Sequence, residues 1–397
     1  NTDASGSKHT NWLNMIYPRI KMAHSLLSPD GVIFVSIDDN EDSQLQAVLN
    51  EIFGESNFIA KIVRNTNSSK NQTMFVSVSH EYCLVFAKDL QMLATKHSDN
   101  KWAVLKNNVG EYLSRVKKMQ QNGLTDSEIT NELKILTTYP RFIDFMNYWY
   151  FDERGLYRKG DLGGVTGGNL EPMMNPLTKK LDSVPPGGYR YSAETLDQLV
   201  REGRIHFHDE GSLPTIKRYL AENTTQRPKS IMSDDQRPDY ALLKQWNLPF
   251  DNPKQMSFMT RLVSLSDKDA VVLDFFAGSG TTGHAVMAQN AIDGGRRHFI
   301  LVQLDEPMEG GQYATIPEMT RERLRRAGEK VRAEAGLTVP DLDVGFRSFK
   351  LAASNVIPWQ ASAENLDSQL DLNIDNIVEG RSELDVLFEL ILKLGLD

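Results

Sequence analysis

The chain has one cysteine, Cys83, in 397 residues. A lone thiol excludes an intramolecular disulfide, and its place in the apolar run Tyr82-Cys83-Leu84-Val85-Phe86 predicts a structural group rather than a reactive one. This usage fits a reducing, cytoplasmic setting. Long apolar runs are also missing. No stretch approaches the roughly 20 residues that cross a bilayer, and Asn1-Thr2-Asp3-Ala4 carries no basic-then-apolar export signal. Neither membrane insertion nor export is expected. His206 and His208 alternate without cysteine partners, so no metal site is predicted. The lack of any internal repeat excludes a solenoid.

Positive charge is in short supply, with a net charge of −9. The deficit is local: residues 337–397 hold 4 Lys/Arg against 11 Asp/Glu, leaving 40 against 42 for residues 1–336. A nearly neutral body is compatible with a basic groove for nucleic acid, and equally with a mixed solvated surface.

What is present is α/β patterning on both sides of an irregular middle. Trp12, Ile16, Ile20, Ala23 and Leu27 recur at helical spacing until Ser28-Pro29-Asp30-Gly31 breaks the pattern. The β-branched run Gly31–Ile37 predicts a strand buried on both faces, as in a parallel sheet. Asp38-Asp39-Asn40-Glu41 offers a cap for a helix that Gly54 stops, and His80–Lys88 reads as another strand. The pattern resumes with a strand at Val271–Phe275, a helix from Thr281, a strand at His298–Leu304 and a helix from about Pro317 to Ala335. Between these halves, Gly163-Gly164, Gly167-Gly168 and Pro185-Pro186-Gly187-Gly188 punctuate a segment rich in Tyr, Trp and Arg. The expected fold class is α/β: a doubly wound, mostly parallel, Rossmann-like sheet with an inserted α+β domain. The expected divisions are residues 1–94, an insertion over 95–245, a second half over 246–336 and an acidic segment over 337–397. In that last segment Ser382-Glu383-Leu384-Asp385 opens an amphipathic helix suited to an interaction.

The most informative string runs from Leu273 through Asp274, Phe275, Phe276, Ala277, Gly278, Ser279, Gly280 and Thr281 to Thr282. It reads as strand, turn and helix. Glycines at 278 and 280 let the backbone turn sharply and approach a ligand that a Cβ would obstruct, and Asp274 can accept hydrogen bonds from a ligand ammonium or from the loop. A P-loop would require a lysine that is absent here. Gly283 completes a Gly-x-Gly-x-x-Gly spacing, which keeps a nicotinamide enzyme as a minor alternative.

Preceded by Asn252-Pro253-Lys254, this string resembles the methyl-donor motifs of the β-group amino-methyltransferases that act on DNA. Over nearly the whole chain the resemblance is to modification subunits of type III restriction-modification systems. Supporting blocks are Asn11 to Arg19, Gly31 to Glu41, Ile52-Phe53-Gly54-Glu55, His80-Glu81-Tyr82 and Arg296 to Gln303. In that family a target-base half comes first, then a DNA-recognition insertion, then the donor half. The resemblance implies S-adenosylmethionine as cofactor, adenine N6 in double-stranded DNA as substrate, a homodimer, and a restriction-helicase subunit as partner. It also implies donor contacts from Asn252, Lys254 and Asp274 to Thr282, with Gln303 standing where the family has a ribose-binding acid. Asp305 or Glu306 substitutes for that acid, or both cap the following loop; the sequence leaves the two open. Asn-Pro also opens turns, and a solvated Lys254 is the competing assignment. Ser36 and Asp38, at the end of the strand Gly31–Ile37, open toward the sheet edge at which the family carries its catalytic motif, with a helix cap as the alternative role for Asp38.

The family's catalytic Asp-Pro-Pro-Tyr is absent, and Asn1-Thr2 resembles the two residues that follow it. The expectation is an internal fragment that begins just after the catalytic motif, holds no catalytic residue and is inactive as given. For DNA contact the insertion offers Arg141, Tyr150, Arg158, Lys159, Arg190, Lys217 and Arg218, cations for phosphates interleaved with aromatics for unstacked bases. The arginines from Arg321 to Arg332 are interspersed with Glu318, Glu322 and Glu329, so intrahelical pairing is expected there. Cytosine N4 methylation and a non-catalytic DNA-recognition or assembly subunit are the alternatives.

Overall fold

The computed structural model describes residues 8–65, 75–76, 78–99, 101–233, 237–309, 312–336, 339, 341–359 and 376–395; Asn1 and Thr2 lie outside them. Helix α1 (Lys8–Leu26), strand β1 (Val32–Ile37), helix α2 (Asp42–Phe53), strands β2 (Phe58–Asn65) and β3 (His80–Ala87) and helix α3 (Leu90–Lys96) form the first half. β1 behaves as its composition predicts. Ile33 packs with Ile16, Ile20, Leu45 and Leu49 on one face of the sheet, while Val32 and Phe34 pack with Val85 and Phe258 on the other. Gly54 ends α2 at φ +84. Its N-cap, Glu41, makes no side-chain cap bond, and Asp38 instead accepts from the backbone N–H of Asn40 at 3.0 Å.

The parallel expectation for this sheet needs correction. β3 lies between β1 and β2 and runs antiparallel to both. β1 and β2 are therefore parallel to each other, joined through α2, and β3 returns to fill the space between them. A strand buried on both faces looks alike in sequence whichever way its neighbours run.

The middle of the chain comprises β4 (Val104–Leu105), α4 (Val109–Gln121), α5 (Asp126–Leu136), β5 (Tyr150–Asp152), β6 (Gly155–Gly160), α6 (Ala193–Arg201), β7 (Ile205–His206), β8 (Thr215–Tyr219) and β9 (Thr225–Gln226). It is α+β, with a sheet of order β5-β6-β8-β7 and two cores. One core centres on Tyr112, Ile129, Leu133, Phe142 and Phe145, the other on Leu162, Tyr189, Leu196, Ile205 and Ile216. Its entry and exit strands, β4 and β9, pair antiparallel and form a neck. There the buried Lys106 donates to the carbonyls of Asn223 and Thr225, and Asp144 accepts from Asn107 N–H, the Gln226 amide and Lys229.

Strand β10 (Ile231–Ser233) then joins β2 in parallel, and helix α7 (Arg237–Gln245) places Leu243 against Tyr313 and Met319. These segments, grouped with the insertion by composition, pack on the flanking halves. Helix α8 (Met256–Val263), β11 (Val271–Asp274), α9 (Thr281–Asp293), β12 (His298–Leu301) and α10 (Ile316–Ala335) form the second half, with β11 and β12 parallel. Phe258 and Leu262 of α8 cover the first sheet next to Ile62, Cys83 and Val85, so α8 ties the halves together. Cys83 is 1% exposed and burial pushes its thiol up to about 12, an inert structural group. Among the described residues no helix is long and apolar enough to cross a membrane.

Two compact units divide the chain at Val344 and Gly345. The second contains helix α11 (Glu383–Leu394), whose predicted capping box forms: Ser382 Oγ accepts from Asp385 N–H, and the Asp385 carboxylate accepts from Ser382 N–H. Phe388 meets Phe349 edge-on, and Leu387 and Leu394 are exposed.

Asp144 neutralises a cluster of cations at the neck. Asp144→Ala is expected to lower folding stability by about 2 kcal/mol in urea titration, since three donors lose their acceptor and buried Lys106 its nearby carboxylate. Unchanged stability would remove the neck as a structural element.

Candidate donor-binding site

β11 ends at Asp274, and the chain crosses to α9 through Phe275–Gly280. Gly278 and Gly280 adopt φ +50 and +79, the left-handed region that favours glycine. A Cβ on Gly278 would lie 3.3 Å from the Phe250 ring, and one on Gly280 would clash with Thr320 Cγ2 at 2.8 Å. Gly283 serves a different purpose. Its Cβ would meet Leu324 at 2.7 Å and Leu301 at 3.1 Å, so it lets α9 pack closely on α10 and β12.

The turn is held from several sides. Asp274 Oδ1 accepts from Phe276 N–H at 3.0 Å, and its Oδ2 accepts from the Thr282 hydroxyl at 2.5 Å. Ala277 N–H donates to Val302, and Gly278 N–H donates to Gln303 Oε1 at 2.8 Å. The Thr320 hydroxyl donates to the Gly278 carbonyl at 2.6 Å. Arg323 donates to the Ser279 and Thr281 hydroxyls. Phe275 packs toward the first-half core, while Phe276 is half exposed.

Beside this turn lies a cleft lined on one wall by Asn247, Phe250 and Asn252 and on the other by Pro307, Met308 and Gln312. Asp305 is exposed just past the end of β12, which stops at Leu301 rather than Leu304. Lys254 is not merely solvated. Its amine lies 2.7 Å from Glu81, which also pairs with Arg64 at 2.9 Å. This places Lys254 against the edge of the first sheet at which β1 ends and β3 begins, where Ser36 hydrogen-bonds the Cys83 thiol and Asp39 holds up the Tyr82 phenol. Among the described residues, no group of three His, Cys, Asp or Glu could hold a metal ion.

Three contributors escaped the sequence reading. Phe250 lies in a short loop with no periodic signal. Glu81 belongs to the run His80-Glu81-Tyr82, in which no spacing marks it out. Arg323 was grouped with the paired arginines of α10, and Arg325 and Arg326 do pair with Glu322, but Arg323 is buried. Its signal was available, because Met319, Arg323 and Ala327 fall four residues apart on the apolar stripe.

Of the residues expected to touch DNA, Arg141 pairs with Glu111, Lys217 with Asp152 at 2.8 Å, and Arg190 donates to the Gly163 carbonyl. Lys159 lies 4.2 Å over the Tyr150 ring, which stacks on Tyr157. Arg158 stands directly opposite Arg218 across β6 and β8, and Lys159 opposite Lys217. Among the described residues neither Arg158 nor Arg218 has a carboxylate partner.

Beneath the turn, His284 is 3% exposed, and burial together with Arg323 lowers its pKa to about 3. The imidazole is neutral when folded, whereas an unfolded one protonates near 6.5. Its contribution is present above about pH 6.5 and is lost as pH falls toward 3, by up to about 1.4 kcal/mol per unit. Urea titrations of the native chain and His284→Leu should therefore diverge on acidification, the native chain losing more. Parallel pH profiles would show His284 to be solvated and protonated in the fold.

The matching family model, described as DNA methylase and named for N6 and N4 transfer, covers residues 1–306. The chain is 36% identical over 371 residues to the Type III restriction-modification enzyme EcoP15I Mod subunit of Escherichia coli, covering 87% of this chain and 55% of that protein. It is 32% identical to the StyLTI Mod subunit of Salmonella typhimurium, covering 91% and 51%. The chain thus spans about half the length of these curated relatives. The solved M1.HpyAVI–SAM complex shares 12% identity at a TM-score of 0.32, covering 79% of this chain and 82% of that one. The chain belongs to the N6/N4 DNA methylase family.

Proposed function

We propose that the whole protein transfers a methyl group from S-adenosylmethionine to adenine N6 in double-stranded DNA, as the modification subunit of a type III-like restriction-modification system. The observation that carries the donor half of this reading is the cleft beside the glycine turn, whose lining residue Phe250 packs its ring against Gly278, where a Cβ would crowd it. Asn252, Phe250 and the loop after β12 would bound the ligand, the turn's backbone would approach its amino-acid end, and Asp274 would keep the turn in shape. Gln303 and Asp305 would flank the ribose. Bound there, S-adenosylmethionine supplies an electrophilic sulfonium methyl. Lys254, through Glu81, links that cleft to the sheet edge of the target-base half.

Adenine rests on the resemblance to type III modification subunits; the family name covers cytosine N4 as well. A non-catalytic recognition subunit is the second reading. Titration with S-adenosylmethionine separates the two: binding supports the donor site, and DNA binding without donor binding supports a recognition module. Methylated-nucleoside analysis of DNA treated with the whole protein then distinguishes N6-methyladenine from N4-methylcytosine. A homodimer and a restriction-helicase partner belong to the same proposal.

The insertion is read as the DNA-contacting part, with Arg158 and Arg218 as its backbone contacts. Like charges facing each other across a ladder destabilise a sheet, and a phosphate between them would relieve that repulsion. Arg158→Gln/Arg218→Gln should weaken DNA binding and flatten its log–log salt dependence by about 2, the release expected for two phosphate contacts. An unchanged slope would assign the pair elsewhere.

A further inference from the structure

The turn rests on a buried cation. Arg323 is 1% exposed and is among the largest fully buried side chains. One guanidinium nitrogen donates to the hydroxyls of Ser279 and Thr281, the residues on either side of Gly280, while Nε is buried without a hydrogen-bond partner. Burial brings its pKa down to about 10, with Asp239 the carboxylate whose field opposes that shift, so it stays protonated at neutral pH. No ion pair forms on it among the described residues.

Stability alone does not call for this charge. Burying an ion is costly, and an apolar side chain of similar volume generally serves the fold as well or better. Helix electrostatics do not favour it either, since a cation beside the first turn of α9 sits at the positive end of that helix's dipole. Its side-chain hydrogen bonds end on the donor turn, at the segment Asp274 grips from the other side through Phe276 N–H and the Thr282 hydroxyl. A guanidinium is suited to this because the two N–H bonds of one planar terminal nitrogen hold two acceptors in a fixed relation.

We propose that Arg323 is a positioning residue for the methyl donor. It locks Ser279 and Thr281, and with them the left-handed Gly280 between them, so that the turn is ordered before the ligand arrives. Glycine turns sample many shapes when unrestrained, and ordering one during binding subtracts from affinity. This proposal rests on the reading of the turn as the S-adenosylmethionine site.

The test compares donor Kd, DNA Kd and Tm for the native 397-residue chain, Arg323→Met and Arg323→Lys. Arg323→Met should weaken S-adenosylmethionine binding by roughly tenfold or more, with DNA binding and donor-free Tm near native values. Arg323→Lys should fall between, because one ammonium recovers the charge but not the fixed planar N–H geometry. A merely structural arginine would lower Tm and leave the donor Kd of the folded protein unmoved. If Arg323→Met does not fold, Ser279→Ala/Thr281→Val removes the same bonds from the turn's side and should weaken donor binding likewise. Variants that bind donor within about twofold of a native chain that binds it overturn this proposal alone. A native chain that binds no donor overturns the site reading and the proposal with it.

Discussion

The hydrogen bonds converging on the Phe275–Gly280 turn are the constraint on which the rest of the site depends. Two glycines give the backbone its positive φ values and let Phe250 and Thr320 pack against it, and the same glycines would leave an isolated loop free to sample many shapes. Asp274, Gln303, Thr320 and Arg323 remove that freedom from four directions. They come from β11, from the segment after β12 and from α10, so the turn is ordered only when the second half is assembled. Close packing at Gly283 brings α10 within reach.

The second half is in turn fastened to the first. α8 buries Phe258 against the first sheet, and Lys254 reaches Glu81 near its edge. These contacts bridge residues far apart in sequence, with the insertion joined between them by the short β4–β9 neck. Within the insertion, Arg141, Lys217, Arg190 and Lys159 are engaged by carboxylates, a carbonyl or a ring, whereas the facing Arg158 and Arg218 have no carboxylate partner among the described residues.

Much of this was readable from residue patterns. The strand, turn and helix around Gly278, the helix stop at Gly54 and the capping box at Ser382 all follow from local chemistry, and local chemistry is what a sequence expresses most directly. The antiparallel insertion of β3 was not readable, because a doubly buried strand has the same composition in either direction. The four-stranded sheet of the insertion was equally hidden. β7 has two residues and β5 three, too few for an alternation to show. Arg323 illustrates a third case, in which the signal existed but the neighbours masked it. Surrounding arginines pair with glutamates on the solvent side, while helical spacing sets this one on the buried stripe.

We read the Gly278–Gly280 turn, the wall of Asn247, Phe250 and Asn252 and the wall of Pro307, Met308 and Gln312 as one donor pocket. Hydrogen–deuterium exchange of the chain with and without saturating S-adenosylmethionine tests it most directly. Donor-dependent protection is expected to concentrate in peptides covering residues 247–252, 274–282 and 303–309. Protection absent from these segments, or confined to the insertion, would contradict it.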